Sequence, residues 1–117
     1  MKTIWATHQG DVLVEKIDKL PKGVKEGTLD QFGRGIVAEG EVTGHLHAIH
    51  GRKMNFYVSD NPLVFYASVP EGGTLNHETA PNNLTGEHGP QKLEPGDYRF
   101  TRQTEAPWGE ADRMVAD

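Results

Sequence analysis

Turn-forming residues cut this chain into short pieces. Fourteen glycines and seven prolines are spread along 117 residues, and apolar stretches meet one of them before a helical repeat can establish itself. Short β-branched or aromatic runs bounded by such residues read as strands. They cover residues 11–17, 35–49 (with a bend near Gly40 or Gly44), 55–59, 63–69, 74–79 and 98–104. The run 63–69 is the most apolar and reads as a central strand. Residues 98–104 alternate aromatic and polar side chains, as a half-exposed strand of an antiparallel pair does. Residues 24–34 and 80–86 read as loops, and Pro95-Gly96 suits a type II turn. No helix, internal repeat or heptad stands out. The expected fold is all-β: a small antiparallel β-barrel, jelly-roll-like, formed by one domain over residues 1–104. A polar tail over 105–117 follows, with Trp108 and Met114-Val115 as docking points.

Size and composition narrow the chemistry. A chain of 117 residues holds one core, and with 35% hydrophobic residues and a mean hydropathy of -0.62 that core is thin. There is no cysteine, which excludes disulfides, thiolate ligands and thiol catalysis. The net charge of -5 and the lack of a basic face argue against nucleic acid as a partner. No apolar run approaches the roughly 20 residues of a membrane helix. Met1-Lys2-Thr3-Ile4-Trp5 lacks the apolar stretch of a secretory leader. The expectation is a soluble protein, cytoplasmic or, if phage-encoded, virion-associated.

Histidine placement carries the functional signal. Of six histidines, five lie between positions 45 and 88. His45 and His47 form an H-x-H pair in an expected strand, and side chains two apart on a strand share a face, at a spacing able to chelate one cation. By the same parity His50 points the other way. His77 and His88 each stand beside a carboxylate, Glu78 and Glu87. Neutral imidazole is the commonest metal ligand, and with no thiols competing the expected ligands are His45, His47, His77 and His88. Glu78 and Glu87 are the candidates for substitute ligand, second-shell partner or proton-handling group. The expected cofactor is a divalent ion, zinc first, with iron, manganese or nickel also suited. The alternative for the same residues is a hydrogen-bonded, pH-sensitive histidine cluster without metal.

Other polar groups read as ordinary surface. His8 and His50 look like plain polar residues; Asp11, Glu15 and Asp18 look like a solvated strand face. Arg34, Arg52 and Lys53 are too scattered for an anion site. Trp5, Phe56, Phe65, Tyr66 and Phe100 read as core and cross-strand packing.

Gly44-His45-Leu46-His47 and Glu94-Pro95-Gly96-Asp97-Tyr98 resemble the first motif and the interstrand turn of the cupins, small β-barrels with a metal-binding H-x-H. The glutamate of that first motif is replaced here by His50-Gly51-Arg52-Lys53. A closer resemblance is to a set of small uncharacterised bacterial and phage proteins. It is carried by Gln9-Gly10-Asp11-Val12-Leu13, Gly40-Glu41-Val42-Thr43-Gly44-His45-Leu46-His47, His77-Glu78 and Glu87-His88-Gly89-Pro90. Pro95-Gly96-Asp97-Tyr98-Arg99, Gln103 and Arg113-Met114-Val115-Ala116-Asp117 continue it. It implies the same residue choice and no particular reaction.

Two functions follow. One is a metal-binding β-barrel, extending to a metal-dependent hydrolase or oxygen-dependent enzyme with Glu78 or Glu87 moving protons. The other is a non-enzymatic, capsid-associated or decoration protein acting through homo-oligomeric or viral assembly contacts, with Trp5 and Trp108 at the interface.

Overall fold

The computed structural model describes residues 1–39 and 44–103. The tail over 105–117, with Trp108, Met114 and Val115, and the motif residues Gly40 to Thr43 lie outside the described residues. Eleven strands and no helix form among the described residues. In chain order they are β1 (Thr3–Gln9), β2 (Val12–Ile17), β3 (Lys25–Glu26), β4 (Gly35–Glu39), β5 (Leu46–Gly51) and β6 (Asn55–Val58). These are followed by β7 (Val64–Val69), β8 (Gly73–Ala80), β9 (Asn83–Leu84), β10 (Gln91–Leu93) and β11 (Gly96–Arg102).

The strands pair into two antiparallel sheets. The first has the order β1-β2-β11-β7-β6-β3; the second has β10-β8-β5-β4, with β9 added to β8. Among the described residues no ladder joins the edges, so the expected closed barrel is replaced by two open sheets. The reason lies in the edges themselves. β3 is two exposed, charged residues long, too short and too polar to recruit a partner strand. The span 35–49 is two strands rather than one bent one: Gly44, at φ +87°, lies in the connection between β4 and β5. β1 is a seven-residue strand that the sequence pattern does not announce, because most of it is exposed on the sheet edge and needs no apolar alternation.

One core joins the sheets. Val12, Val14, Ala67, Val69, Tyr98 and Phe100 from the first sheet meet Val37, Ile49, Leu75 and Leu93 from the second in a single buried cluster. Alternation does the sorting: Tyr98 and Phe100 are fully buried, while Arg99 and Thr101 between and after them are part-exposed. Tyr98 donates its hydroxyl to the Glu94 carbonyl at 2.7 Å, which satisfies its one polar atom in the core. Phe56 and Phe65 stack at 5.5 Å between ring centroids. The same alternation on β5 and β8 turns Ile49 and Leu75 into the core, and with them His47 and His77, two residues further along.

Candidate metal centre

Register brings the first two histidines together. β5 and β8 pair antiparallel with His47 directly opposite His77, and both are buried on the face that carries Ile49 and Leu75. Their ring centroids are 4.5 Å apart. His45 stands one residue before β5, just after the Gly44 turn, with its ring 5.5 Å from that of His77. Glu87 and His88 come from the connection between β9 and β10, and the His88 ring lies 5.0 Å from His77 and 6.2 Å from His47. The four expected histidines therefore form one cluster. Within it, donor atoms of His45, His77 and Glu87 all lie within 4.8 Å of one another. One Glu87 carboxylate oxygen is 3.4 Å from His45 Nδ1 and 3.7 Å from His77 Nδ1.

The loop that carries Glu87 is held to β8. Thr85 donates its backbone N–H to the His77 carbonyl at 3.0 Å, and its hydroxyl lies 2.6 Å from His77 Nδ1. The same hydroxyl accepts the Glu87 backbone N–H at 3.1 Å. Thr85 thus fixes the His77 ring and the start of the Glu87 side chain together.

A second wall comes from the other sheet. The β1–β2 hairpin has a two-residue loop, Gly10-Asp11, with positive φ (+59°) at Gly10 only, the pattern of a type II′ turn. A Cβ at Gly10 would lie 2.9 Å from His88 Nε2 and 3.3 Å from His47 Cε1, so only glycine lets the hairpin close over both rings. Gln9 is 2% exposed and donates both amide hydrogens, to the Leu75 carbonyl at 2.8 Å and the Gly89 carbonyl at 2.9 Å. Its oxygen sits 2.9 Å from His47 Nδ1. Asp11 places a carboxylate oxygen 3.7 Å from His47 Nε2. Gln9, Asp11 and Thr85 are site residues that sequence reading missed; the readable signal was Gln9-Gly10-Asp11, a glycine-first turn flanked by two side chains able to face histidine.

Burial keeps the inner imidazoles neutral. Desolvation pushes His47 down to about 4, helped by the neighbouring His77 and opposed by Asp11. Desolvation also lowers His77, with His88 and His45 acting in the same direction and Glu87 and Asp11 against it. At neutral pH these rings offer lone pairs, the form in which imidazole binds a cation. His45 Nδ1 is buried and has no hydrogen-bond partner among the described residues, an orphaned acceptor or donor aimed at a cluster of others.

Glu78 belongs elsewhere. It follows His77 in β8, and adjacent strand residues project to opposite faces. The structure puts it on the far side of the second sheet, fully buried, and this corrects the expectation that it handles protons at the histidines. There one carboxylate oxygen accepts from Arg34 Nη1 at 2.9 Å and lies 2.8 Å from His50 Nε2. The other accepts from Asn76 at 3.0 Å and the Asn82 backbone N–H at 2.9 Å. Burial alone would raise this carboxyl; the hydrogen bonds from Arg34, His50, Asn76 and Asn82 outweigh it and hold it below the usual carboxylate range. Asp30 pairs with the other side of Arg34 at 2.8 Å. His50 and Arg34, read from sequence as plain surface, are parts of this ion-pair network. His8 lies outside both clusters and pairs with Gln103 at 3.0 Å.

A family model described as Domain of unknown function (DUF8820) matches residues 8–103. The chain belongs to that family. The match spans every donor of the histidine cluster and the Gly10-Asp11 turn over it. No curated protein and no solved structure matches the chain.

Proposed function

We propose that the protein binds a divalent metal ion at the His45–His77–Glu87 trio, with His47 and His88 completing the donor set. The observation that carries this reading is the convergence of His45, His77 and Glu87 from three separate stretches of chain, donor atoms within 4.8 Å of each other, around a His45 nitrogen with no hydrogen-bond partner among the described residues. Imidazole and carboxylate without sulfur suits zinc, and equally iron, manganese or nickel. The likeness to cupins lies in this donor pattern, an H-x-H entering a strand with later histidines beside it.

Two imidazoles and one carboxylate are the donor set of zinc hydrolases and of oxygen-activating iron sites. An ion with an open position would supply Lewis acidity and a water acidified to about neutral pH. The chain's own part is then clear. His77, buried and fixed by Thr85, orients; His45 donates from the rim; Glu87, half-exposed at 49%, supplies the carboxylate on the side open to solvent. The reading is tested by elemental analysis of untagged protein after exhaustive dialysis, followed by Co²⁺ titration. About one equivalent that is lost in both His45→Ala and His77→Ala supports it. No ion at stoichiometric level, and no Co²⁺ spectrum, rejects it. The metal recovered then selects the assay, ester or phosphoester hydrolysis for zinc and oxygen consumption for iron.

A second reading, a structural or decoration role through self-association, draws on one feature: Ile4 and Trp5 are exposed on β1, an edge strand with an outward side. Concentration-dependent sedimentation of wild type against Trp5→Lys tests it.

A further inference from the structure

The Gln9 amide has only one orientation that fits. Its nitrogen faces two backbone carbonyls, those of Leu75 and Gly89, which can only accept. Its oxygen therefore faces His47 Nδ1 at 2.9 Å, and an amide oxygen can only accept, so Nδ1 carries the hydrogen. With the hydrogen on Nδ1, the lone pair of the neutral imidazole is on His47 Nε2. That lone pair meets a carboxylate oxygen of Asp11 at 3.7 Å. The distance is too long for a hydrogen bond, and neither atom has a proton to give. Two acceptors facing each other across this distance, one of them on a buried ring, favour a cation between them. The spacing suits one: ligand bonds of about 2.0–2.2 Å place a nitrogen and an oxygen on the same zinc-like ion about 3.4 Å apart at the tetrahedral angle, and further as that angle opens.

We propose that Asp11, carried on the β1–β2 hairpin, is a metal ligand alongside His47 Nε2, and that Gln9 is the positioning residue that turns this nitrogen to the ion. The inference rests on the metal-binding reading above and extends it from the second sheet to the first. It gives His47 a carboxylate beside it, as Glu87 is beside His45 and His77, and so favours a borderline or hard divalent ion over a soft one such as Cu⁺. Arg102 Nε lies 3.9 Å from the other Asp11 oxygen, beyond hydrogen-bond reach, and sets a positive charge beside that carboxylate. Gly10 belongs to the same device, because its lack of a side chain is what lets the turn close with Gln9 and Asp11 on the two nitrogens of His47.

Two measurements decide it. In metal-free wild type, long-range ¹H–¹⁵N correlation of the imidazoles should give His47 as the Nδ1–H tautomer; an Nε2–H tautomer overturns the inference whatever the protein binds. In Co²⁺ and Zn²⁺ titrations, Gln9→Leu should bind about 10–100-fold more weakly, the usual cost of removing an orienting partner. Asp11→Asn should lose at least about tenfold. Asp11 is on an exposed turn that asparagine tolerates, so this variant remains informative if Gln9→Leu does not fold. Asp11→Asn binding as tightly as wild type overturns Asp11 as ligand while leaving the His45–His77–Glu87 reading intact. Wild type that binds neither ion overturns the metal reading and the Asp11 assignment with it, a result distinguishable because the tautomer is scored on the same metal-free sample.

Discussion

His77 and Glu78 are consecutive in β8 and face opposite ways, and the two sides of that strand solve the problem of buried polarity differently. On the Glu78 side a carboxylate meets four donors, each oxygen is used twice, and Arg34 is shared with Asp30. Charge and hydrogen bonds are balanced within the chain. On the His77 side, four rings and two carboxylates converge with long contacts of 3.4–3.7 Å between them and a His45 nitrogen that has no partner among the described residues. A network that closes on itself holds a fold together. One that leaves polar atoms facing each other without closing is the side on which the metal proposal rests.

The contrast breaks most visibly at Arg34. Arg34→Met should leave the Glu78 charge buried without its main counter-ion and cost about 3–5 kcal/mol in urea unfolding. A loss under about 1 kcal/mol would show that this side is not the closed network described. On the other side, stability should depend on what is bound. Saturating Zn²⁺ at about 1,000 times its Kd adds about 4 kcal/mol, so a chelator should lower the Tm of wild type and leave that of His77→Ala unmoved. Equal melting with and without chelator in wild type would merge the two faces into one kind.

Acid should separate them by pH window. His47 is lowered to about 4 and His77 is lowered too, so between about 6.5 and 4 the unfolded chain binds more protons than the folded one. Chelator-treated protein is therefore most stable above about pH 6.5 and loses stability as pH falls through this window, by about 3 kcal/mol for His47 alone. Glu78 is also lowered, so its contribution is fully present above the ordinary carboxylate value of 4.5 and is lost only below it. His47→Gln should flatten the upper part of the profile in urea melts at stepped pH and leave the lower part. The smallest effect is expected at His45. Its ring is at the rim and its buried nitrogen makes no bond to lose, so His45→Ala should change metal-free stability by no more than about 0.5 kcal/mol, while abolishing tight Co²⁺ binding.

What could be read from sequence was whatever depends on residue type and period. The all-β class came from turn punctuation, and the choice of His45, His47, His77 and His88 came from one residue type recurring without thiols. What could not be read was whatever depends on distant pairing. That His47 sits opposite His77 follows from the β5–β8 register, set by core packing of Ile49 against Leu75 rather than by anything local. Asp11 looked like solvated strand surface because nothing near it in sequence shows that the hairpin folds over His47 and His88. Glu78 differs for another reason: strand parity separates it from His77, so nearness in sequence to a histidine does not bring it to the cluster. β1 escaped notice because an exposed edge carries no burial pattern to detect.

Gln9 reaches partners 38, 66 and 80 positions further along the chain: His47, Leu75 and Gly89. The β1–β2 hairpin therefore docks through contacts far apart in the chain, each of which closes a long loop. Separations of that size are non-local pairings, the kind whose loop-closure entropy slows the folding of β proteins.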